Sequence, residues 1–269
     1  MWVLFIALSG TMFFFTFSLK GVGGEQFRFV VMSDSHNTLG KDMVKAVANS
    51  IKQLNPDFVL HCGDFTCCLG SSPPNRFKFD EYHLLGGIPV FPTTGNHEYD
   101  GTAIVAYKDF WKKRTAPVRI SGEWAFTYSF DWKDIHFIAL EWNCKQKQWF
   151  LDDLEKNKKK RVVIFSHMAT YEAAKSKFKH IPSKLFNEAL KYHNVKAIFS
   201  GHSHCYWLSE IRPGTVQVLA GTVSHDNKRD PSFGGKRTFV VVDISADSLK
   251  ICPAIVGKGL VYSQCMLVQ

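Results

Sequence analysis

The sequence contains no N-x-S/T sequon, so nothing in it supports a glycosylated ectodomain, although that absence does not bar export. It has no internal repeat, no low-complexity tract and no linker, so residues 25–269 are expected to form one domain. Charge is missing altogether from residues 2–19, WVLFIALSGTMFFFTFSL, and first appears at Lys20. Val22-Gly23-Gly24 then offers the small residues that a signal peptidase accepts before Glu25. Residues 1–24 are therefore read as a signal peptide, which makes the remainder a secreted or otherwise exported protein. No basic side chain precedes the apolar run, and the run approaches the length of a short span. The alternative is an uncleaved anchor, in which case residues 2–19 hold the protein to a membrane.

Acidic residues are also in short supply, 24 against 33 basic ones, for a formal charge of +9. That balance favours anionic partners but does not choose among phosphate esters, nucleic acid and acidic surfaces, so no specific nucleic-acid partner is inferred. The basic run Lys156 to Arg161 reads as a solvated helix end. What is plentiful is apolar: 45 % of residues are hydrophobic and 14 % aromatic, which excludes a disordered or fibrous chain. Cysteine numbers seven, so at least one thiol is free. Cys67, Cys68, Cys144, Cys252 and Cys265 could supply disulfide partners in an exported protein, whereas Cys62 and Cys205 sit where buried strands end.

After residue 25, short apolar runs alternate with helical periodicity. Strands are expected at 27–32, 58–61, 88–91 and 162–165, with a hairpin of 124–130 and 135–140 about a turn at 131–134. Val44, Val47, Ile51 and Leu54 mark a helix stopped by Pro56; further helices are expected over 149–154 and 184–192. Val195 to Phe199 is a strand, and 216–219, 238–242 and 249–251 look like antiparallel ones. A βαβ-like beginning and a β-rich end imply an α/β sandwich of mixed sheets.

Five of these strands run into polar residues that bind metals well: Asp34-x-His36, Gly63-Asp64, Asn96-His97, His167 and His202-x-His204. Residues i and i+2 of an extended segment face the same way, so each x-spaced pair projects to one side. Active sites of α/β proteins gather beyond the carboxyl ends of strands. Two carboxylates (Asp34, Asp64), one carboxamide (Asn96) and four imidazoles (His36, His167, His202, His204) exceed what one tetrahedral ion takes. They suit two ions sharing a carboxylate. Two divalent ions, Asp34, Asp64 and a bridging hydroxide sum to a small positive charge, attractive to phosphate. Such a pair acidifies its water and steadies both oxygens of an in-line displacement.

The segments SDSHN, CGDFT, TTGNHE, FSHM and SGHSH, in this order and spacing, resemble the five motifs of the calcineurin-like metallophosphoesterase superfamily. The intervening YSFDWKDIHFIALE and QWFLDDL are similar to it as well. The resemblance implies a four-layer α/β/β/α sandwich of two mixed β-sheets and hydrolysis of phosphate mono- or diesters at a dinuclear centre. It implies that Asp34, His36 and His204 hold one metal, that Asn96, His167 and His202 hold the other, and that Asp64 bridges them. His97 would not be a ligand but would contact phosphate and protonate or stabilise the leaving oxygen. The ions would be divalent or mixed-valence Mn, Fe or Zn. Phe65-Thr66-Cys67-Cys68 replaces the Val-Asp-Arg-Gly of the Ser/Thr phosphatases. Cys67 and His36 depart from the purple acid phosphatase pattern, and no room remains for the substrate domain of a 5′-nucleotidase. A compact single-domain member is left.

Other residues carry plainer expectations. His61 and His136 read as satisfied core histidines; His83, His180 and His193 have no ligand pattern. His225 lies in a polar loop, 224–235, that would rim the site. Glu98 either orients His97 or is an ordinary turn carboxylate. Phe65, Tyr99, Tyr171 and Tyr206 either stack on a substrate base or wall the pocket. The competing reading from another class is a secreted, catalytically silent binding protein on the same fold. A full ligand set disfavours it. Substrate and oligomeric state are not fixed by the residues.

Overall fold

The computed structural model describes residues 26–36, 41–66, 80–168, 184–226 and 232–269. The expectations for residues 1–24, Cys67, Cys68, Tyr171 and His180 lie outside them. Among the described residues, no helix is long and apolar enough to cross a membrane.

The chain opens with parallel strands β1 (Phe27–Met32), β2 (Phe58–His61) and β3 (Val90–Pro92), linked through helices α1 (Lys41–Lys52) and α2 (Asp80–Leu84). A 3₁₀ turn (His97–Tyr99) and α3 (Ala103–Lys112) lead to β4 (Ile120–Gly122) and the antiparallel hairpin of β5 (Tyr128–Trp132) and β6 (Ile135–Leu140). Then come α4 (Lys147–Lys156), β7 (Arg161–Ser166), α5 (Lys184–Ala189), β8 (Val195–Ser200), β9 (Tyr206–Arg212) and β10 (Thr215–Ala220). The end is β11 (Thr238–Ile244), β12 (Leu249–Ile255), β13 (Gly259–Leu260) and β14 (Met266–Val268).

These strands form two seven-stranded mixed sheets, one ordered β13-β12-β11-β1-β2-β3 with β14 on β12, the other β4-β5-β6-β7-β8-β10-β9. Alternation along each strand assigns its two faces. Phe29, Val31 and Leu60 of the first sheet share one core with Phe137, Phe165 and Phe199 of the second. Phe29 stacks on Phe58 at 5.2 Å and meets the edges of Phe137 and Phe199 at 5.4 and 6.0 Å. The opposite faces are covered by helices: Val30, Met32 and Val59 pack on Val47, Ile51, Tyr107 and Trp111. Ile138, Ile164 and Ile198 pack on Phe150, Leu154 and Ala189. The layers are therefore α/β/β/α, as the motifs implied, and strands buried on both faces explain the unbroken apolar runs.

Where the sequence reading differs, the cause is local. The strand near 216–219 is β10, which runs parallel to β8 and antiparallel only to β9. The sequence reading gave no strand at β9 because its seven residues YWLSEIR form a half-exposed edge without an apolar run. The helix expected to reach residue 192 ends at Ala189, and the Arg212 guanidinium binds the carbonyls of Leu190 and Tyr192 beyond it. The strand expected from 124 starts at Tyr128, after a turn with Ala125 at φ +67°. His136 is buried with its ring nitrogens 2.7 Å from Asp131 and 2.7 Å from Asp153, tying the hairpin to α4. Cys252 and Cys265 form a disulfide, while Cys62 and Cys144 are free; Cys205 is partly exposed rather than buried.

The two sheets come into close contact where β1 and β8 end. A Cβ on Gly201 would lie 1.8 Å from Ser33 Oγ and 2.5 Å from Asp34 Oδ2. Glycine there is a steric requirement of bringing both sheets to one point. Gly201→Ala is expected to lower the unfolding free energy by about 1–3 kcal/mol, the usual cost of overpacking. Urea denaturation measures this, and unchanged stability would mean that the Ser33 segment yields freely.

Candidate metal centre

Asp34, His36, Asp64, Asn96, His167, His202 and His204 all lie just beyond the carboxyl ends of β1, β2, β3, β7 and β8, strands drawn from both sheets. The β1–β2 pairing continues past the strands, with Asp34 N donating to Gly63 O at 3.0 Å and His36 N to Asp64 O at 3.1 Å. Asp34, His36, Asp64, His202 and His204 adopt φ of +53°, +37°, +56°, +67° and +53°. Left-handed backbone is costly for such residues, and its concentration here marks a functional site. Gly95 permits another close approach, because a Cβ there would sit 2.1 Å from Asp64 Oδ1.

Two groups result. Asp34, His36, Asp64 and His204 each present one atom, all within 4.8 Å of one another, and Asp64, His167 and His202 do the same. Asp64 belongs to both. Asn96 joins the second group through Oδ1, 3.1 Å from His167 Nε2 and 3.0 Å from His202 Nδ1.

The donor chemistry fits cations. His36 Nδ1 lies 2.9 Å from Thr66 O and His167 Nδ1 lies 2.8 Å from Cys62 O. A carbonyl only accepts, so each Nδ1 carries the proton and the neutral ring presents an Nε2 lone pair to the site. His36 Nε2 faces His204 Nε2 at 3.2 Å, and His167 Nε2 faces Asp64 Oδ2 at 3.1 Å. Asp34 Oδ1, though buried, receives no hydrogen bond; His204 Nε2 is 3.0 Å away but not in hydrogen-bond direction. Lone pairs converging in a buried place repel one another unless a proton or a metal ion lies between them.

The side chains alone show this pull. Burial opposes ionisation of Asp34, yet the charges of His204, His167 and His36 hold it well below the usual carboxylate range. Burial likewise opposes charge on His167, but Asp64 outweighs it and raises the ring to about 9. Burial dominates at His36, whose ring is pushed down. These are the opposing demands that a bound cation reconciles by replacing the ring proton.

His97 belongs to neither group. Its backbone N–H donates to Asp64 Oδ1 at 3.0 Å, its Nδ1 donates to Asp100 Oδ2 at 2.6 Å, and its Nε2 lies 3.9 Å from Asp64 Oδ2. Asp100, three residues along the turn, thus orients His97. Glu98 does neither thing expected of it. Fully buried, it accepts the backbone N–H groups of Asp64, Phe65, Thr66 and Gly95 at 2.7–3.0 Å. It pins the loop that carries Asp64, with burial and nearby Asp64 pushing its own pKa up to about 7. His61 is a core histidine that braces the floor: Nδ1 accepts from Gly63 N, Nε2 pairs with Ser35 Oγ, and burial lowers it to about 3, so it stays neutral.

The rim aromatics need correction. Phe65 is buried and stacked on His61 at 3.6 Å, Tyr206 is buried against Phe233, and the Tyr99 hydroxyl donates to Glu141. The aromatic beside the second group is Trp142, 6.4 Å from His202. It follows β6, which ends without a ligand, so no motif pointed to it. Asp100 and Glu98 were equally hidden, because their roles rest on contacts that only the folded turn creates. His225 does lie at the rim, exposed, 5.0 Å from His204 and 6.2 Å from His36.

Comparison with known proteins agrees with this geometry. No curated protein sequence matches the chain. A dimetal phosphatase from Danio rerio superposes with a TM-score of 0.61 at 12 % identity, over 90 % of this chain and 98 % of that one. A purple acid phosphatase, PPD1, from yellow lupin (Lupinus luteus) seeds reaches 0.69 at 15 % identity, over 91 % of this chain and 54 % of that one. GAP50, described as the anchor in the inner membrane complex of Plasmodium, reaches 0.63 at 15 % identity, over 91 % and 89 %. At these identities the likeness shows the fold. The family model for calcineurin-like phosphoesterases matches residues 27–206, which include every residue of both groups, and the chain belongs to that family.

Proposed function

We propose that this protein hydrolyses phosphate mono- or diesters with two divalent or mixed-valence ions of Mn, Fe or Zn. Asp34, His36 and His204 would hold one ion, Asn96, His167 and His202 the other, and Asp64 both. The observation that carries this reading is the membership of Asp64 in both ligand groups. When bound, the ions supply an acidified water and the positive charge that an in-line displacement at phosphorus requires.

The chain's own residues do the rest. Glu98 and His61 keep the Asp64 and Asp34 loops in register. Asn96 turns its Oδ1 toward the second group, which leaves its NH2 to donate to a phosphate oxygen. His97, fixed by Asp100 at Nδ1, moves a proton through Nε2 to the departing oxygen. Asp100 thereby acts through His97, as the orienting member of an acid–orienter pair does.

A panel of p-nitrophenyl phosphate, its bis ester and cyclic nucleotides, run after reconstitution with each metal, tests the activity. Turnover of at least one ester that depends on added metal is expected; none with any metal would refute the reading. Asp64→Asn is expected to abolish turnover and reduce bound metal to one ion or none, as elemental analysis reads directly. Two retained ions and near-normal turnover would remove Asp64 from its bridging role. His97→Ala should keep both ions while losing roughly 10²- to 10⁴-fold in rate on alkyl phosphates. It should lose less on p-nitrophenyl phosphate, whose leaving group departs without a proton. Metal loss would make His97 a ligand, and equal losses on both esters would make it a phosphate-positioning group.

A further inference from the structure

Two imidazoles outside the ligand groups flank His36: His97 at 5.6 Å and His225 at 6.2 Å between ring centroids. His97 has a proposed role. His225 has none, yet its ring is held more specifically than an exposed loop residue requires. Its Nδ1 lies 2.7 Å from Ser224 Oγ; Ser224 Oγ lies 2.8 Å from Thr222 Oγ1; and Thr222 Oγ1 lies 2.9 Å from the Asp34 carbonyl oxygen. Thr222 and Ser224 are buried.

The direction of this chain is forced. The Asp34 carbonyl can only accept, so the single Thr222 hydroxyl proton goes to it. Thr222 must then accept from Ser224, whose N–H also donates to it at 3.2 Å. Ser224 has spent its own proton and must accept from His225. His225 therefore carries its proton on Nδ1, which leaves Nε2 the acceptor of a ring centred 5.0 Å from that of His204. Asp226, the adjacent carboxylate, does not compete, because Lys236 and Arg237 pair with it at 3.5 and 3.4 Å. Nor is His225 a ligand by position, since its nitrogens fall outside both clusters.

We propose that His225 is a specificity-determining contact, resting on the phosphoesterase reading above. Its Nε2 accepts a hydrogen bond from a second hydroxyl or N–H on the alcohol half of the ester. A lone pair repels phosphate oxygens, so the partner must be a donor outside the phosphate. The favoured substrates are then phosphate esters of polyols, sugars or nucleosides that carry a donor next to the esterified oxygen. Simple alkyl esters lack it.

Glycerol 2-phosphate and isopropyl phosphate share a skeleton and differ in this respect. Their affinities for the metal-loaded His97→Ala protein, in which turnover is slowed, measured calorimetrically at pH 8, are expected to favour glycerol 2-phosphate by about tenfold, the size of one hydrogen bond. His225→Ala should erase the preference with unchanged metal content, and His225→Gln, whose Oε1 can accept, should restore part of it. Nitrogen-15 correlation spectra of the imidazoles should show His225 protonated at Nδ1, and Ser224→Ala should mix the tautomers. An Nε2–H tautomer, a preference that survives His225→Ala, or metal loss in that variant would overturn the proposal. Because binding and tautomer are read without turnover, a wild-type protein that hydrolyses nothing would refute the proposed activity while these readouts still decide His225.

Discussion

Asp34 and Asp64 are carboxylates buried where two sheets converge, and a charge placed there must be matched or the fold is lost. Backbone supplies part of the match: His202 N donates to Asp34 Oδ2 and His97 N to Asp64 Oδ1, each at 3.0 Å. Imidazoles supply more. Yet Asp34 Oδ1 receives no hydrogen bond, and the His36 ring, whose tautomer is fixed by Thr66 O, presents a lone pair rather than a proton. The remaining deficit has the sign and position that a bound metal cation would fill. Fold and chemistry are thus two answers to one electrostatic demand.

Holding these groups together costs conformational energy, of the order of 1–3 kcal/mol for each residue kept in left-handed backbone. The scaffold offsets it through rigid contacts: the phenylalanine core between the sheets, the Glu98 carboxylate across four N–H groups, and the His61 brace from Gly63 to Ser35. None of these belongs to the two groups. Each fixes the aim of a residue that does, which is why a buried glutamate and a core histidine sit directly under the site.

How much of this was legible in the sequence follows from the range of each interaction. Buried parallel strands write themselves as apolar runs, and the polar residues at their ends fall at short spacings, so β1, β2, β7, β8 and the seven residues that the fold gathers beyond the strand ends could be read. The half-exposed edge strand β9 has no run, and β10, expected as antiparallel, is so toward β9 but runs parallel to β8. Asp100 could not be assigned to His97, nor Trp142 to His202, because both pairings arise from tertiary approach. Phe65 and Tyr206 look like rim aromatics only along the chain; in space their rings turn into the core.

The central claim is a pair of ions sharing one carboxylate. Anomalous diffraction from crystals of the manganese-loaded protein tests it most directly. Two peaks are predicted, one among Asp34, His36 and His204, the other among Asn96, His167 and His202, with Asp64 between them. A single peak, or two that do not share Asp64, would contradict the account.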